Sequence, residues 1–422
     1  MDLAQLTAQV PELLQGLRGC GGAGFPTEFK WQAVRREQGA AAEKIILCNA
    51  DEAEPGTFKD AWLLGGVEAG TVIRGMIYAA HFCDAARGWI YLRAEYSAQR
   101  EHLQRVIAEL VDEGLLSAGS GQISYGAGFP GRKIEAHNGG ASDVELSTLD
   151  WHLKHGAITA EEPQQVDELD GPGPQRHCGE IEAAAATGLK FQLGICVSGG
   201  AYICGEETAL LESMEGRRPQ PRHKPPFPTQ SGLWGLPTLI NNVETFWWAA
   251  RRLEGSADDF SRRLYSVSGC VQKPGVYEAP LGISSRQLIE DHAGGLLPGA
   301  TVSCFTPGGA ATGVLPPELL DLALTQDSLR AEGSSLGTCG LIVHQESAQK
   351  AAAKIMRFFA QESCSQCTPC RQGCAVFADW LDGKLEWHDP EVHADWLHAM
   401  TAGSICGLGQ AAPMTIKMLE RF

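Results

Sequence analysis

The sequence has no long apolar run. Its apolar stretches, such as 45–48 and 246–250, fall far short of the roughly 20 residues that a membrane-spanning helix needs. The start, Met1-Asp-Leu-Ala-Gln5, has neither the basic residues nor the apolar core of a secretion signal, so a cytoplasmic location is expected. Positive charge is scarce as well. Lys and Arg number 34 against 51 Asp and Glu, which leaves a net charge of −17. That balance disfavours nucleic acid and anionic membrane surfaces as partners. Internal repeats and low-complexity tracts are missing too. What remains, 44% hydrophobic and 20% charged residues, is the composition of a globular chain. At 422 residues it is too long for one ordinary core, and two or three domains are expected.

Cysteine is abundant, with 14 residues. In a reducing compartment such a number points to metal or redox chemistry rather than disulfides. Cys48, Cys83, Cys196 and Cys270 sit in apolar runs and read as core residues. The exception is Cys364-x2-Cys367-x2-Cys370 near the C-terminus. Three thiolates at this spacing suit an iron–sulfur cluster better than zinc, which favours paired Cys-x2-Cys knuckles. The flanking Ser365, Gln366, Thr368 and Pro369 offer no apolar core to join. The spacing leaves the fourth ligand open. Cys374 completes the local ferredoxin pattern, and Cys406 is the remote candidate.

The pattern along the chain alternates. Residues 3–17 read as an amphipathic helix interrupted at Pro11, and a glycine loop follows at 19–26. Residues 44–48 read as a buried strand with Asn49, Asp51, Glu52 and Glu54 crowded at its end, where open α/β sheets bind ligands. Helices are expected over 61–82 and 98–115, flanking a strand at 88–93. A second strand-to-helix junction runs from 189–197 through Gly199-Gly200 and Gly205-Glu206-Glu207 to about Met214. Residues 217–237 are proline-rich and extended. Residues 117–180, rich in Gly, Pro and acids, read as a surface excursion with a weak helical stretch at 143–155. Strand-like residues from 262 to 330, with turns at Lys273-Pro-Gly275 and Pro307-Gly-Gly309, suggest a small β-grasp-like module. From 346 onward the chain is mostly helical.

Gly19-x-Gly21-x-x-Gly24 formally matches the dinucleotide fingerprint, but it follows a helix-like segment rather than a strand. Its amides can approach a phosphate or flavin closely, with Lys30 nearby; a tight turn is the plainer alternative. Glu206 and Glu207 likewise have a plain reading, as solvated acids at a helix start.

Together these segments resemble the NADH-binding flavoprotein subunit of respiratory complex I, a family that includes the diaphorase subunits of NAD-linked hydrogenases and formate dehydrogenases. The resemblance rests on Gly16-Leu-Arg-Gly-Cys-Gly-Gly-Ala-Gly-Phe-Pro-Thr27 with Lys30-Trp31, Asn49-Ala-Asp-Glu-Ala-Glu-Pro-Gly-Thr-Phe-Lys-Asp60, and Ala201-Tyr-Ile-Cys-Gly-Glu-Glu-Thr-Ala-Leu210. It continues through Lys224-Pro-Pro-Phe-Pro228, Asn241-Asn-Val-Glu-Thr245 and Glu362-Ser-Cys-Ser-Gln-Cys-Thr-Pro-Cys-Arg371. It spans nearly the whole chain except 117–180.

The resemblance implies an α/β fold with three parts. A Rossmann-like FMN- and NADH-binding domain would span 1–250, a β-grasp module of the soluble-ligand-binding type 251–335, and a helical [4Fe–4S] domain 336–422. FMN would sit on Gly19, Gly21, Lys30, Asn49, Asp51, Tyr202, Gly205, Glu206, Asn241, Asn242 and Thr245. NADH would use Gly22, Phe25, Glu52, Glu54, Glu207, Lys224 and Phe227, with Glu54 beside the adenosine ribose. The cluster would take Cys364, Cys367, Cys370 and Cys406. Hydride would pass from NADH to FMN and electrons singly to the cluster; Glu206 and Glu207 would tune the site and product release rather than transfer protons. Implied partners are a small [2Fe–2S] subunit and further iron–sulfur subunits of a larger redox complex, with no nucleic acid and no direct membrane insertion.

Three departures stand out. Cys20 replaces a usual arginine, Ala33 replaces an aromatic residue that helps hold adenine, and the connection at 117–180 is unusually long. A diaphorase subunit of a soluble formate dehydrogenase or hydrogenase is the alternative within the family. The missing N-terminal thioredoxin-like domain favours the complex I type. An iron–sulfur scaffold without catalysis is the rival of another class; intact Lys30, Glu54, Tyr202 and Glu207 speak against it.

Overall fold

The apolar segment ending in polar residues forms β1 (Ile45–Ala50) of a parallel sheet in the computed structural model, which describes residues 3–37, 43–126, 191–257, 260–386 and 389–422. It is joined by β2 (Arg87–Leu92), β3 (Ile123–Tyr125), β4 (Gln192–Val197) and β5 (Thr238–Asn242), in the order β3-β4-β2-β1-β5 with every pairing parallel. Parallel strands are covered on both faces, which is why β1 reads as an almost continuous apolar run. Because β2 and β5 lie on opposite sides of β1, the strand order reverses there. The carboxyl ends of β1 and β5 therefore border the crevice where such sheets bind ligands.

Helices α1 (Leu3–Leu13), α2 (Thr27–Arg36), α3 (Lys59–Gly65), α4 (Ala69–Cys83), α5 (Ser97–Asp112), α6 (Glu207–Met214) and α7 (Val243–Leu253) accompany this sheet. One face is covered by α2, α4, α5 and α7 through Trp31, Val34, Ile73, Met76, Leu103, Ile107 and Phe246. Helix α4 crosses α7 at Gly75, where a Cβ would come within 2.1 Å of the Phe246 carbonyl. The single helix expected over 61–82 is two, because Gly65 and Gly66 end α3. Of the excursion expected over 117–180, the described residues are 117–126. Residues 117–126 fold back as a turn and the exposed edge strand β3; the helical stretch expected at 143–155 lies outside the described residues.

The second sheet contains β6 (Arg262–Gly269), β7 (Gly275–Pro280), β8 (Cys304–Thr306) and β9 (Gly340–His344), with α8 (Gln326–Ala331) between the last two. Its order is β7-β6-β9-β8. The central pair β6–β9 is parallel and both outer pairs are antiparallel. That is the β-grasp topology the turn pattern suggested. The boundary expected at 335 needs correcting, because β9 lies beyond it and joins the two halves of this sheet. Five residues carry too little local pattern to be assigned without their partners.

Four helices complete the chain: α9 (Ala348–Glu362), α10 (Thr368–Leu381), α11 (Pro390–Gly403) and α12 (Gly407–Met418). They do not form a separate core. Met356, Phe359, Phe377 and Ile416 belong to one apolar cluster with Ile45, Leu47, Tyr91, Ile203, Leu210 and Ile240 on the second face of the parallel sheet. This packing brings the cysteine-bearing loops beside the crevice. Among the described residues no helix is long and apolar enough to cross a membrane.

Candidate functional site

At the crevice, polar groups face inward from the ends of β1, β4 and β5. Asn49 donates from Nδ2 to the Gly205 carbonyl at 2.8 Å. The Asp51 carboxylate accepts from Ser198 Oγ at 2.8 Å, while its Oδ2 and Asn241 Oδ1 are buried with no protein partner. Buried polar atoms are nearly always hydrogen-bonded, so these two mark where a ligand's polar groups fit. Burial raises the Asp51 carboxyl to about 7, opposed by Arg93 and the Ser198 bond. Gly205 packs closely here, since a Cβ would stand 3.3 Å from the Asp51 carbonyl.

The glycine loop joins α1 to α2, so it is not the strand-to-helix turn of an ordinary dinucleotide fingerprint. It is pinned at its base by Gly19 N to Phe25 O and Thr27 N to Leu17 O, both 2.9 Å. Its Cys20 amide donates to Thr245 Oγ1 at 2.9 Å, and a Cβ on Gly21 would lie 3.4 Å from the Asn242 Cβ. The loop thus covers the start of α7, whose N-cap Asn242 accepts from Glu244 N at 3.0 Å. Gly22 and Gly24 have φ of 101° and 63°, in the left-handed region that favours glycine. Cys20 is buried, and desolvation first, then Glu244, push its thiol to about 12.

Two ion pairs line the rim. Lys30 Nζ lies 2.5 Å from Glu207 Oε1 and donates to the Ile240 carbonyl at 3.0 Å. Lys224 Nζ lies 2.9 Å from Glu206 Oε1. The other Glu206 oxygen caps α6, accepting from Thr208 N at 2.8 Å and Ala209 N at 2.9 Å. The plain reading of this acid as a helix-start residue therefore holds for one oxygen, and the second carries a lysine. Phe25 and Phe227 expose their rings, and Lys30 Nζ is 6.0 Å from the Phe25 ring centre.

Glu52 and Glu54 point elsewhere. The Glu52 carboxylate accepts from Asp60 N, Ala61 N and the Tyr96 hydroxyl, each at 2.9 Å, so it holds the start of α3. Glu54 is buried, accepting from the Tyr202 hydroxyl at 2.5 Å and from Ala311 N at 2.7 Å. Burial raises its pKa. Each Glu54 oxygen thus holds one bond from the chain and keeps acceptor capacity for a further donor. Gly309 makes room for it, because a Cβ there would come within 2.6 Å of the Glu54 side chain.

Sequence reasoning passed over a buried ionic group beneath the glycine loop. Lys59 Nζ meets Asp60 Oδ1 at 2.7 Å, Glu244 Oε2 at 3.2 Å and Asn242 Oδ1 at 3.2 Å. Asp60 also accepts from Asn242 Nδ2 at 2.6 Å. Asp60 first, then Glu244, raise the Lys59 pKa against the opposing effect of its burial. The available signal was Lys59-Asp60 at the end of a motif otherwise made of ligand-facing residues.

The cysteines gather where α10 and α12 begin. Cys367 is the N-cap of α10 and Cys406 the N-cap of α12. Burial first pushes the Cys406 thiol up to about 12, with smaller contributions from Glu206, Cys364 and Cys370. Cys374, one turn beyond Cys370 on α10, is fully buried in the apolar cluster. Gly409 lets α12 approach, since a Cβ there would stand 2.7 Å from the Cys370 Cβ. Among the described residues no three Cys, His, Asp or Glu side chains converge as ligands of a single ion. Cys364, Cys367, Cys370 and Cys406 would supply four thiolates, the donor type that iron–sulfur clusters take. Arg218 and Gln220 donate to the Cys364 carbonyl at 3.2 and 3.4 Å.

Residues 14–251 match the Nuo51 FMN-binding domain, and residues 350–422 match the NADH-ubiquinone oxidoreductase-F iron-sulfur binding region. The chain belongs to the Nuo51 FMN-binding family. The F 2 subunit of the NADH-quinone oxidoreductase of Rhizobium meliloti (strain 1021) is 36% identical over 97% of this chain and 85% of its own length. The F subunit of the NADH-quinone oxidoreductase of Salmonella typhimurium is 34% identical over 87% of this chain and 70% of its own length. Among solved structures, the NAD+-reducing [NiFe]-hydrogenase in the H2-reduced state superposes with a TM-score of 0.75 at 28% identity. That match covers 99% of this chain and 62% of the other, so this chain spans about three-fifths of that relative. The family assignment covers both the strand-end crevice and the cysteine-bearing helices, and it leaves residues 252–349 to be identified by their β-grasp topology.

Proposed function

We propose that this chain is the NADH-oxidising flavoprotein subunit of a multi-subunit redox complex. The observation that carries the proposal is one apolar core shared by the polar strand-end crevice and the cysteine loops. Bound FMN supplies the conversion of a two-electron hydride into single electrons, and the [4Fe–4S] cluster relays them.

The crevice residues fit FMN. The unpartnered Asp51 and Asn241 oxygens suit hydroxyl groups of its ribityl chain. The amide of Gly21 and the start of α7, with Gly19, Asn242 and Thr245 beside them, suit its phosphate. Asn49, Tyr202, Gly205 and Glu206 complete the wall. Nucleotide comes to the rim, where Phe25 and Phe227 offer exposed rings for a base, and Gly22, Lys30, Lys224 and Glu207 supply polar contacts. Among the carboxylates on the nucleotide side, Glu52, Glu54 and Glu207, the part-exposed Glu207 is the one we assign to a ribose. Glu206 and Glu207 adjust binding and release and need move no proton. Cys364, Cys367, Cys370 and Cys406 hold the cluster.

Partner iron–sulfur subunits follow from this role, and a small [2Fe–2S] subunit in a cytoplasmic assembly is the fuller reading. The F subunits of NADH-quinone oxidoreductases at 36% and 34% identity support that type, and the hydrogenase structure supports a diaphorase as the alternative. Co-purification of the native protein tests this choice: quinone-reductase subunits support it, and hydrogenase or formate dehydrogenase subunits overturn it.

A further inference from the structure

Tyr202 sits where the crevice meets the cysteine helices. Its hydroxyl donates to Glu54, and its ring packs edge-on against Phe358 of α9 at 5.0 Å between centroids. It also lies within electrostatic range of Cys406. Its main-chain amide opens a short 3-10 turn, Tyr202–Gly205, and such an amide has no partner within the turn. The preceding residue, Ala201, has no side-chain oxygen to cap it. The partner comes instead from 160 residues away: Tyr202 N donates to Glu362 Oε2 at 2.8 Å. Glu362 is buried, ends α9, and stands two residues before Cys364.

We propose that Glu362 is a positioning residue for the nucleotide site. It caps the Tyr202 turn from outside, fixing the direction in which the phenol leaves the main chain and hence its meeting with Glu54. Glu54 in turn joins the β1 loop to the Ala311 amide of the β-grasp module. One carboxylate next to the cysteine loop thus sets the alignment of three separate segments around the crevice. The bond to an amide is charge-assisted but demands only a correctly placed acceptor oxygen. Reach matters more than charge: glutamine at 362 preserves the cap, whereas aspartate, one methylene shorter, falls out of range.

The inference rests on the proposed nucleotide-binding function, and its test separates the two. NAD+ binding to the FMN- and cluster-loaded protein is measured by calorimetry for wild type, Glu362→Gln, Glu362→Asp and Glu362→Ala. Wild type that binds no NAD+ overturns the functional reading itself. With binding present, Glu362→Gln is expected within about twofold of wild type. Glu362→Asp and Glu362→Ala are expected about tenfold weaker, the size of effect that follows from an unpaired buried amide. The NADH KM with ferricyanide as acceptor rises in parallel while kcat holds. If Glu362→Ala fails to retain its cluster, aspartate against glutamine decides. Equal affinity in those two variants overturns the inference, as does glutamine binding as weakly as aspartate.

Discussion

Lys30 and Glu207 meet across the rim of the crevice at 2.5 Å, one from α2 and one from the first turn of α6. Each is partly exposed, at 19% and 34%, so the pair is open to exchange with a ligand. Removing the charge of Glu207 should relax selection against NADPH, whose extra phosphate brings nearly two negative charges to the ribose. Glu207→Gln should raise the NADPH share of kcat/KM by about tenfold, which corresponds to about 1.4 kcal/mol. Glu54→Gln should leave the ratio unchanged. The measurement is kcat/KM for both nucleotides with an artificial acceptor; a ratio that moves with Glu54 and not Glu207 reverses the assignment.

Cys406→Ser should remove or convert the [4Fe–4S] signal, and Cys374→Ser should retain it. Cys406 stands at a helix start near Cys364 and Cys370, whereas Cys374 is sealed in the core. Electron paramagnetic resonance of the two reduced variants reads the outcome, and the opposite pattern would restore the local ferredoxin spacing.

Lys59 neutralises Asp60 and Glu244 where all three side chains are no more than 4% exposed. Lys59→Met should destabilise the flavin-loaded protein by about 3–5 kcal/mol, the usual consequence of stripping the counter-charge from buried acids. A loss below about 1 kcal/mol in chemical unfolding would show that water reaches this group.

Burial raises Asp51 from 3.8 to about 7 and Glu52 from 4.5 to about 7. The folded state therefore binds more protons than the unfolded chain between pH 4 and 7, and stability falls as pH rises through that window. The contribution is complete below about pH 4 and lost above about pH 7. In flavin-free protein, Asp51→Asn should flatten the decline in Tm between pH 5 and 8. Parallel wild-type and variant curves would mean that Asp51 is ionised throughout.

The sequence made the strand ends and cysteine loop legible because both concentrate polar chemistry against an apolar background. The β-grasp module was readable from Lys273-Pro-Gly275 and Pro307-Gly-Gly309, which lie in the turns after β6 and β8. Its last strand was not, since β9 gains its identity only by pairing with β6 and β8. The direction of a carboxylate was illegible for a similar reason. Glu52, Asp51 and Glu54 are near neighbours in sequence, yet one holds a helix start, one faces the crevice and one meets a residue 257 positions away. The role of Glu362 beside the cysteines was illegible in the same way, because its partner Tyr202 belongs to a distant segment.

The central claim is that one chain both accepts hydride and relays single electrons. Anaerobic addition of NADH to the purified protein tests it most directly, with absorbance and electron paramagnetic resonance recorded together. The flavin band should bleach and a reduced [4Fe–4S] signal should appear in the same sample. An unbleached flavin would contradict the oxidoreductase reading, and bleaching with a cluster that low-potential reductants reduce but NADH does not would contradict the relay.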